Sequence, residues 1–284
     1  MSNGIKIRQN EEKCIAMLAA QRQLYNDAKG LNLVLILISV ILPFGLSFIS
    51  SISDNAYIDK SSYMVAIVAL FLSFIMDKYI DKQKELAATI QQQFDIYTYT
   101  MPWDTKIFGN NRNLSQEIAR NSKFIMNNTN KKQELYDWYA KENDNKPLLE
   151  GILSCQRENY VWDIGLRKRF KIASIITILA LSLIVFVVGI VHSEEFITVI
   201  GHIAFIAPML EWLLSTVKSI NQDIEHLNDL DELINDGVTK SMDDLQDIQK
   251  LLFEHRKGCY TIPNFLYDIF KNNDEDIAHR TASL

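Results

Sequence analysis

Four apolar runs, each almost free of charged residues, dominate the pattern of hydrophobic and polar positions along the chain. The clearest, residues 172–191, has 20 residues and no charge, which is the length that a helix needs to cross a bilayer. Four polar residues separate it from a run at residues 196–217, so the two predicted helices must form an antiparallel hairpin. Residues 31–52 and 63–76 predict a second hairpin, whose second helix reaches a spanning length when extended to residues 56–79.

The polar segments outside these runs have helical spacing and no convincing strand pattern. We therefore predict an all-α fold with four transmembrane helices in two hairpins and a helical cytoplasmic domain. Pro43-Phe44-Gly45 predicts a kink in the first span. The predicted parts are an N-terminal amphipathic helix, the first hairpin, a cytoplasmic helical insert, the second hairpin and C-terminal cytoplasmic helices, at residues 1–30, 31–79, 80–170, 171–217 and 218–284.

Local signals predict where individual helices begin and end. Apolar periodicity predicts helices at residues 5–29, 81–97 and 148–170, and one or two helices within residues 114–139. Ser241 and Asp244 have the spacing of a capping box, which predicts a helix that ends at Gly258. Residues 109–111 predict a loop, residues 141–147 predict a break, and residues 263–270 form a last apolar patch.

Lysine and arginine residues are distributed unevenly around the four runs. Five precede the first run and four stand directly before the third. The loop inside the second hairpin has none, and the loop inside the first has only Lys60. Short loops rich in Lys and Arg stay cytoplasmic. Both hairpin loops are therefore predicted to face outward, with the N-terminus, the insert and the C-terminus in the cytoplasm.

Composition narrows the possible functions. The 284 residues have a net charge of −6, which gives no reason to expect binding to DNA or RNA. Cys14, Cys155 and Cys259 lie far apart and are interpreted as idle thiols in a reducing compartment. The polar N-terminal segment argues against a cleaved leader.

No catalytic constellation is visible in the sequence. It has no phosphate-binding glycine loop, no HExxH and no GxSxG, and its five histidines are scattered. We therefore expect no enzymatic activity, no catalytic residue, no metal site and no cofactor.

Two ionisable residues stand inside the last predicted span. His202 lies near its middle and Glu211 nearer its cytoplasmic end, and ionisable groups in a span usually face the protein interior or a water path. One hypothesis is that they line a pore or a subunit contact. Nine positions apart, they point about 180° from each other, so at most one can face a given lumen. The alternative is that Glu211 reaches the interface beside Trp212 and Lys218.

Candidate ligand-binding residues occur in two dense motifs of the insert, residues 101–104 and 155–167. Aromatic planes stack on nucleotide bases and arginine forks bind phosphates. On this ground the candidates are Trp103, Arg157, Trp162 and Arg167. Trp162 shares a predicted helix face with Asn159 and Leu166, whereas Arg157 and Arg167 are predicted to lie on other faces. The alternative is an aromatic and ion-paired seam that holds the insert against the tails.

The motifs at residues 101–104 and 155–167, together with other short runs of the sequence, resemble the SMODS-associating four-transmembrane effector family. The most specific is Cys-Gln-Arg-x-Asn-x-x-Trp-Asp-x-x-Leu-Arg at residues 155–167. The others are Ile7-Arg8-Gln9-Asn10, Leu18-Ala19-Ala20-Gln21-Arg22 with Tyr25 and Ala28-Lys29, Gln93-Phe94-Asp95, Pro102-Trp103-Asp104 and Trp138-Tyr139.

The resemblance implies a role in bacterial anti-phage signalling of the CBASS type. In such a system a cGAS-like nucleotidyltransferase makes a cyclic oligonucleotide second messenger. The resemblance implies that a homo-oligomeric effector in the lipid of the inner membrane senses this ligand through its cytoplasmic domain. Oligomerisation or opening would then disrupt the membrane and cause abortive infection.

Two alternatives remain open at the level of sequence. A constitutive ion channel or transporter would use Glu211 and His202 and would not need a nucleotide. A membrane anchor would recruit a cytosolic partner through the acidic segment at residues 223–247.

Overall fold

The computed structural model describes residues 2–42, 45, 56–109, 114–191 and 196–264. All regular secondary structure in these ranges is helical, which confirms the all-α prediction. The predicted kink at residues 43–45, most of the second hairpin loop, residues 110–111 and most of the apolar patch at residues 263–270 fall wholly or largely outside the described residues.

The helices differ widely in length, and the three longest have 40 or more residues. A five-residue π-helical segment, Leu37–Ile41, continues the helix Glu12–Ile36, and a 3₁₀ turn, Lys141–Asn145, precedes the helix that begins at Leu148. The α-helices are α1 Ile5–Gln9, α2 Glu12–Ile36, α3 Ala56–Tyr99, α4 Thr105–Phe108, α5 Ser115–Met126, α6 Thr129–Gln133, α7 Leu148–Val191, α8 Phe196–Asn235 and α9 Met242–Gly258.

Most local signals in the sequence correspond to observed features. The polar segments at residues 81–97 and 148–170 lie within α3 and α7, as predicted. The capping box of α9 is confirmed, because Ser241 Oγ accepts from the Asp244 amide while the Asp244 carboxylate accepts from the Ser241 amide. The prediction of one helix over residues 5–29 is wrong. Asn10 ends α1, and its side-chain amide donates to the Lys6 carbonyl oxygen at 3.0 Å and to Asp137.

The described chain divides into two compact units. The first unit comprises residues of Met1–Lys29, Asp81–Arg167 and Asp223–Leu284. Its core collects buried side chains from α1, α2, α3, α7, α8 and α9. Tyr139 lies at the centre of this core, fully buried, with its ring centroid 6.0 Å from that of Phe94 and 5.7 Å from that of Tyr99.

The second unit comprises residues of Gly30–Ile80 and Lys168–Gln222. Its surface carries large apolar side chains that are more than half exposed, including those of Met64, Phe71, Phe74, Leu179 and Leu183. A monomeric soluble protein rarely exposes so many large apolar groups together. Among the described residues, one helical stretch, Glu12–Ile41, is long and apolar enough to cross a membrane, with a mean hydropathy of 1.4 over an 18-residue window within it. The total of four spans stays a prediction.

Substitution of Tyr139 tests the core of the first unit. We expect Tyr139→Ala to lower the unfolding temperature strongly, because removing a fully buried aromatic ring costs about 3–5 kcal/mol. Tyr139→Phe keeps the ring and loses only the hydroxyl that donates to Asp95 at 2.6 Å, so its effect is expected to be smaller. Thermal unfolding of the detergent-purified protein measures both. Equal melting temperatures for the wild type and Tyr139→Ala would contradict this description of the core.

Candidate functional site

The first unit contains a cavity of about 750 Å³. This volume is within the range of about 300–1,000 Å³ that is typical of small-molecule sites. Its walls are formed by α2, α3, α7 and α9, by residues 131–139 and by the chain that follows α9, with one residue each from α5 and α8. The cavity is therefore assembled from segments that lie far apart in the sequence.

The cavity lining is rich in cations and aromatic rings. Six Lys or Arg residues line it against four Asp or Glu residues, although the whole chain has a net charge of −6. Such a lining suits an anionic ligand with flat aromatic groups. The cationic residues are Arg22, Lys29, Lys84, Lys131, Arg167 and Arg256, and the aromatic residues are Tyr25, Tyr136, Trp138, Tyr139, Trp162 and Tyr260.

One side of the cavity is built on an ion network around Arg167. Arg167 Nε donates to Asp163 Oδ2 at 2.9 Å, and its Nη1 donates to Asp223 and to the Tyr260 carbonyl oxygen. His255 Nε2 also contacts Asp163 Oδ2. The Arg167 side chain is only 4% exposed, so its charge depends on these partners.

The electrostatics of this network are set by burial and by close charge pairs. Burial raises the pKa of Asp163, but Arg167 and His255 outweigh it and hold that pKa well below its usual range. Burial lowers the pKa of Arg167, but the nearby carboxylates outweigh it and raise that pKa further. Asp163 and Arg167 are therefore a fixed ion pair at neutral pH.

A second buried network is centred on Asp95, whose side chain is fully buried. Asp95 accepts from the Tyr139 hydroxyl at 2.6 Å, from Gln249 Nε2 at 2.9 Å and from Arg256 Nη1 at 2.6 Å. Among the described residues, Arg256 Nη2 and His255 Nδ1 are buried without a hydrogen-bond partner. Buried polar groups are normally satisfied, so these two atoms of cavity-lining residues are places where a bound molecule could supply acceptors or donors.

Trp162 and Arg167, two of the residues predicted from sequence, line the cavity. Five positions apart on the continuous helix α7, they point about 140° from each other, so the lining covers a broad stripe of this helix from Glu158 to Arg167. Trp103 and Arg157 are not part of the lining. Trp103 Nε1 donates to the Gly109 carbonyl oxygen at 2.9 Å, while Nε of Arg157 is buried without a hydrogen-bond partner among the described residues.

Sequence reasoning did not select several cavity residues as ligand contacts, including Arg22, Lys131, Trp138 and Arg256. They come from α2, α6, the segment after α6, and α9, so no local spacing could group them. For Arg22 and Trp138 the available signal was the resemblance of the motifs that contain them.

The two intramembrane candidates lie on α8. Glu211 has an exposed side chain in the second unit. His202 lies in the same helix, but its side chain is outside the described residues. Their role as pore or contact residues stays a prediction. Within the described ranges no group of three or more His, Cys, Asp or Glu residues could hold a metal ion, and the expectation of no metal also stays a prediction.

The protein thus combines a helical fold, a second unit with exposed large apolar side chains and a ligand-sized cavity in its first unit. The profile of the SMODS-associating 4TM effector domain matches residues 3–283. The chain belongs to this family, which is a family of membrane proteins.

One curated relative is similar along nearly its full length. A probable CBASS effector molecule of Bacillus cereus (strain VD146) is 24% identical over 290 residues, which cover 95% of this chain and 94% of the relative. No solved structure matches.

Acid titration of an Asp163→Asn variant tests the Arg167 network. Because the pKa of Asp163 is lowered by folding, its ionisation stabilises the protein fully above the unfolded pKa of about 4, and this stabilisation is lost as pH falls further. At pH 7 we expect Asp163→Asn to cost about 3–5 kcal/mol, because Arg167 and His255 lose a buried carboxylate.

Thermal unfolding between pH 7 and pH 3 measures this effect. The difference between wild type and variant should stay near its pH 7 value down to about pH 4 and shrink below that, where Asp163 protonates in the unfolded chain but stays ionised in the folded one. Glu85→Gln is the control, since both side chains of the Glu85–Lys257 pair are exposed, at 56% and 41%, and this pair should contribute little. A wild-type melting temperature for Asp163→Asn at pH 7 would contradict the network.

Proposed function

We propose that this protein is a membrane effector of a bacterial CBASS anti-phage system that is activated by a cyclic oligonucleotide. The family match over residues 3–283 is the observation that carries this proposal. The similarity to the Bacillus cereus relative, a probable CBASS effector molecule, supports the same role.

The proposed ligand site is the cavity of the first unit. A cyclic oligonucleotide combines phosphodiester anions with flat bases, and the cavity offers both arginine or lysine side chains and aromatic rings. A ligand that is largely enclosed in about 750 Å³ gains contacts on several walls at once. The nucleotide would come from a cGAS-like nucleotidyltransferase of the same system.

The proposed output is damage to the inner membrane by four spans in two hairpins, with both termini in the cytoplasm. Exposed apolar side chains of the second unit and the uneven distribution of Lys and Arg support this topology. Ligand binding would shift an equilibrium toward a homo-oligomer or an open arrangement of the spans. The shift cannot exceed the ligand's preference for that state.

Helix α7 connects the proposed ligand site to one of the proposed membrane spans. It is continuous from Leu148 to Val191, so one helix carries the cavity residues Trp162 and Arg167 as well as the uncharged run at residues 172–191. A displacement of α7 at the cavity would therefore be coupled through an unbroken backbone to the proposed span.

Dye release from liposomes tests the proposal. Liposomes that contain the purified protein should release dye when an appropriate cyclic di- or trinucleotide is added, and should retain the dye without it. Trp162→Leu should shift the half-maximal nucleotide concentration upward by about tenfold, because base stacking on an aromatic ring contributes about 1–3 kcal/mol.

Trp103→Leu is the matched control, because Trp103 does not line the cavity, and it should keep the wild-type response. Neither release nor calorimetric binding with any cyclic nucleotide tested would contradict the proposal. Release without nucleotide that is lost in Glu211→Gln would favour a constitutive channel instead. Liposomes that retain their dye, together with a soluble partner in pull-downs, would favour a membrane anchor.

A further inference from the structure

One wall of the cavity, the segment 129–138 that contains α6, is tied to α2 by two ion pairs. Lys132 Nζ lies 2.8 Å from Glu12 Oε1, and Arg22 Nη1 lies 3.0 Å from Glu134 Oε2. Both carboxylates are solvent-accessible, with the Glu12 side chain 67% and the Glu134 side chain 45% exposed. The Arg22 and Lys132 side chains are 19% and 28% exposed, but because water reaches both carboxylates, breaking these pairs costs less than breaking a fully buried pair.

The two pairs differ in their position relative to the cavity. Arg22 and Glu134 both line it, whereas Lys132 and Glu12 do not. The Arg22 guanidinium also lies over the ring of Trp138, with its central carbon 5.8 Å from the ring centroid. Lys131 lines the cavity from the same wall, so a second cation accompanies this arginine.

We infer that Arg22 is the phosphate-binding residue of this cavity. In the unliganded protein the Glu134 carboxylate occupies the position that the phosphate would take beside Arg22. The inference rests on the proposed function for the identity of the ligand, a cyclic oligonucleotide, and it adds the position of one phosphodiester. Arginine presents a planar fork of donors that fits phosphate as well as carboxylate. An entering phosphodiester would take the Arg22 fork, and the Glu134 carboxylate would move into solvent.

The other buried arginines of the lining are poorer candidates for this exchange. Arg167 is bonded to Asp163 and Asp223, and Arg256 is bonded to the fully buried Asp95. Arg256 Nη2 is unpaired and could donate one bond to a ligand, but drawing the whole guanidinium of either arginine onto a ligand would leave a buried carboxylate without its main counter-charge, which is strongly unfavourable. The Glu134 side chain is 45% exposed, so water can solvate its carboxylate when the ligand takes Arg22.

Calorimetry on the full chain in nanodiscs, with a panel of cyclic di- and trinucleotides, tests the inference. Arg22→Gln should weaken binding by about tenfold or more, since it removes a charge-assisted contact, and Arg22→Lys should weaken it less. Glu134→Gln should tighten binding by about two- to fivefold, since the competing carboxylate is gone.

Glu12→Gln is the matched control for Glu134→Gln. It breaks the neighbouring ion pair on the same wall without changing the cavity lining, so binding should stay at the wild-type value. Equal tightening in Glu12→Gln and Glu134→Gln would mean that loosening of the wall, not competition for Arg22, sets the affinity. That result would overturn the inference.

The remaining outcomes separate this inference from the proposed function. Cyclic nucleotide binding that is unchanged in Arg22→Gln and Glu134→Gln would overturn the inference and leave the proposed function standing. If no cyclic nucleotide binds, inorganic pyrophosphate serves as the probe. Binding of pyrophosphate that Arg22→Gln abolishes and Glu134→Gln strengthens would support the phosphate site while contradicting the proposed ligand, and no binding of either probe would overturn both.

Discussion

The buried carboxylate of Asp95 is the constraint on which the first unit depends. A charge that is removed from water must be paired and hydrogen-bonded, and Asp95 obtains its donors from Tyr139, Gln249 and Arg256. These residues belong to segments that are separated by 44 to 161 positions from Asp95. Satisfying one charge therefore brings together α3, α9 and Tyr139, which directly follows the wall segment 129–138, and the cavity lies beside them.

The two sides of the cavity are consequently held in different ways. We call the side that buried networks hold the firm side, and the side that ion pairs with exposed carboxylates hold the yielding side. On the firm side, buried networks hold Asp163, Arg167 and Arg256 in place, and Gln9 fixes the Tyr139 backbone through two hydrogen bonds of 2.8 and 3.1 Å. On the yielding side, the wall around α6 is tied to α2 through exposed carboxylates. A ligand can alter contacts on the yielding side at low cost while the buried networks keep the geometry of the rest of the site.

The sequence predicted the helices better than the site, for physical reasons. Helices such as α7 and α9 follow from local periodicity, apolar run length and capping, all of which are written in neighbouring residues. The cavity depends on residues such as Arg22 and Arg256, which meet only in the folded protein. Within the motif at residues 155–167, Gln156 and Asp163 bond to α9, while Trp162 and Arg167 line the cavity. Ligand binding by this motif and its alternative, a seam against the tails, both stay predictions.

Hydrogen–deuterium exchange of the full chain in nanodiscs, with and without the cyclic nucleotide that triggers dye release, tests the central claim most directly. If the cavity senses the ligand, backbone amides of residues 129–139, 158–167 and 255–262 should exchange more slowly when nucleotide is present. Slower exchange confined to other parts of the chain, under conditions where the nucleotide binds, would contradict the account.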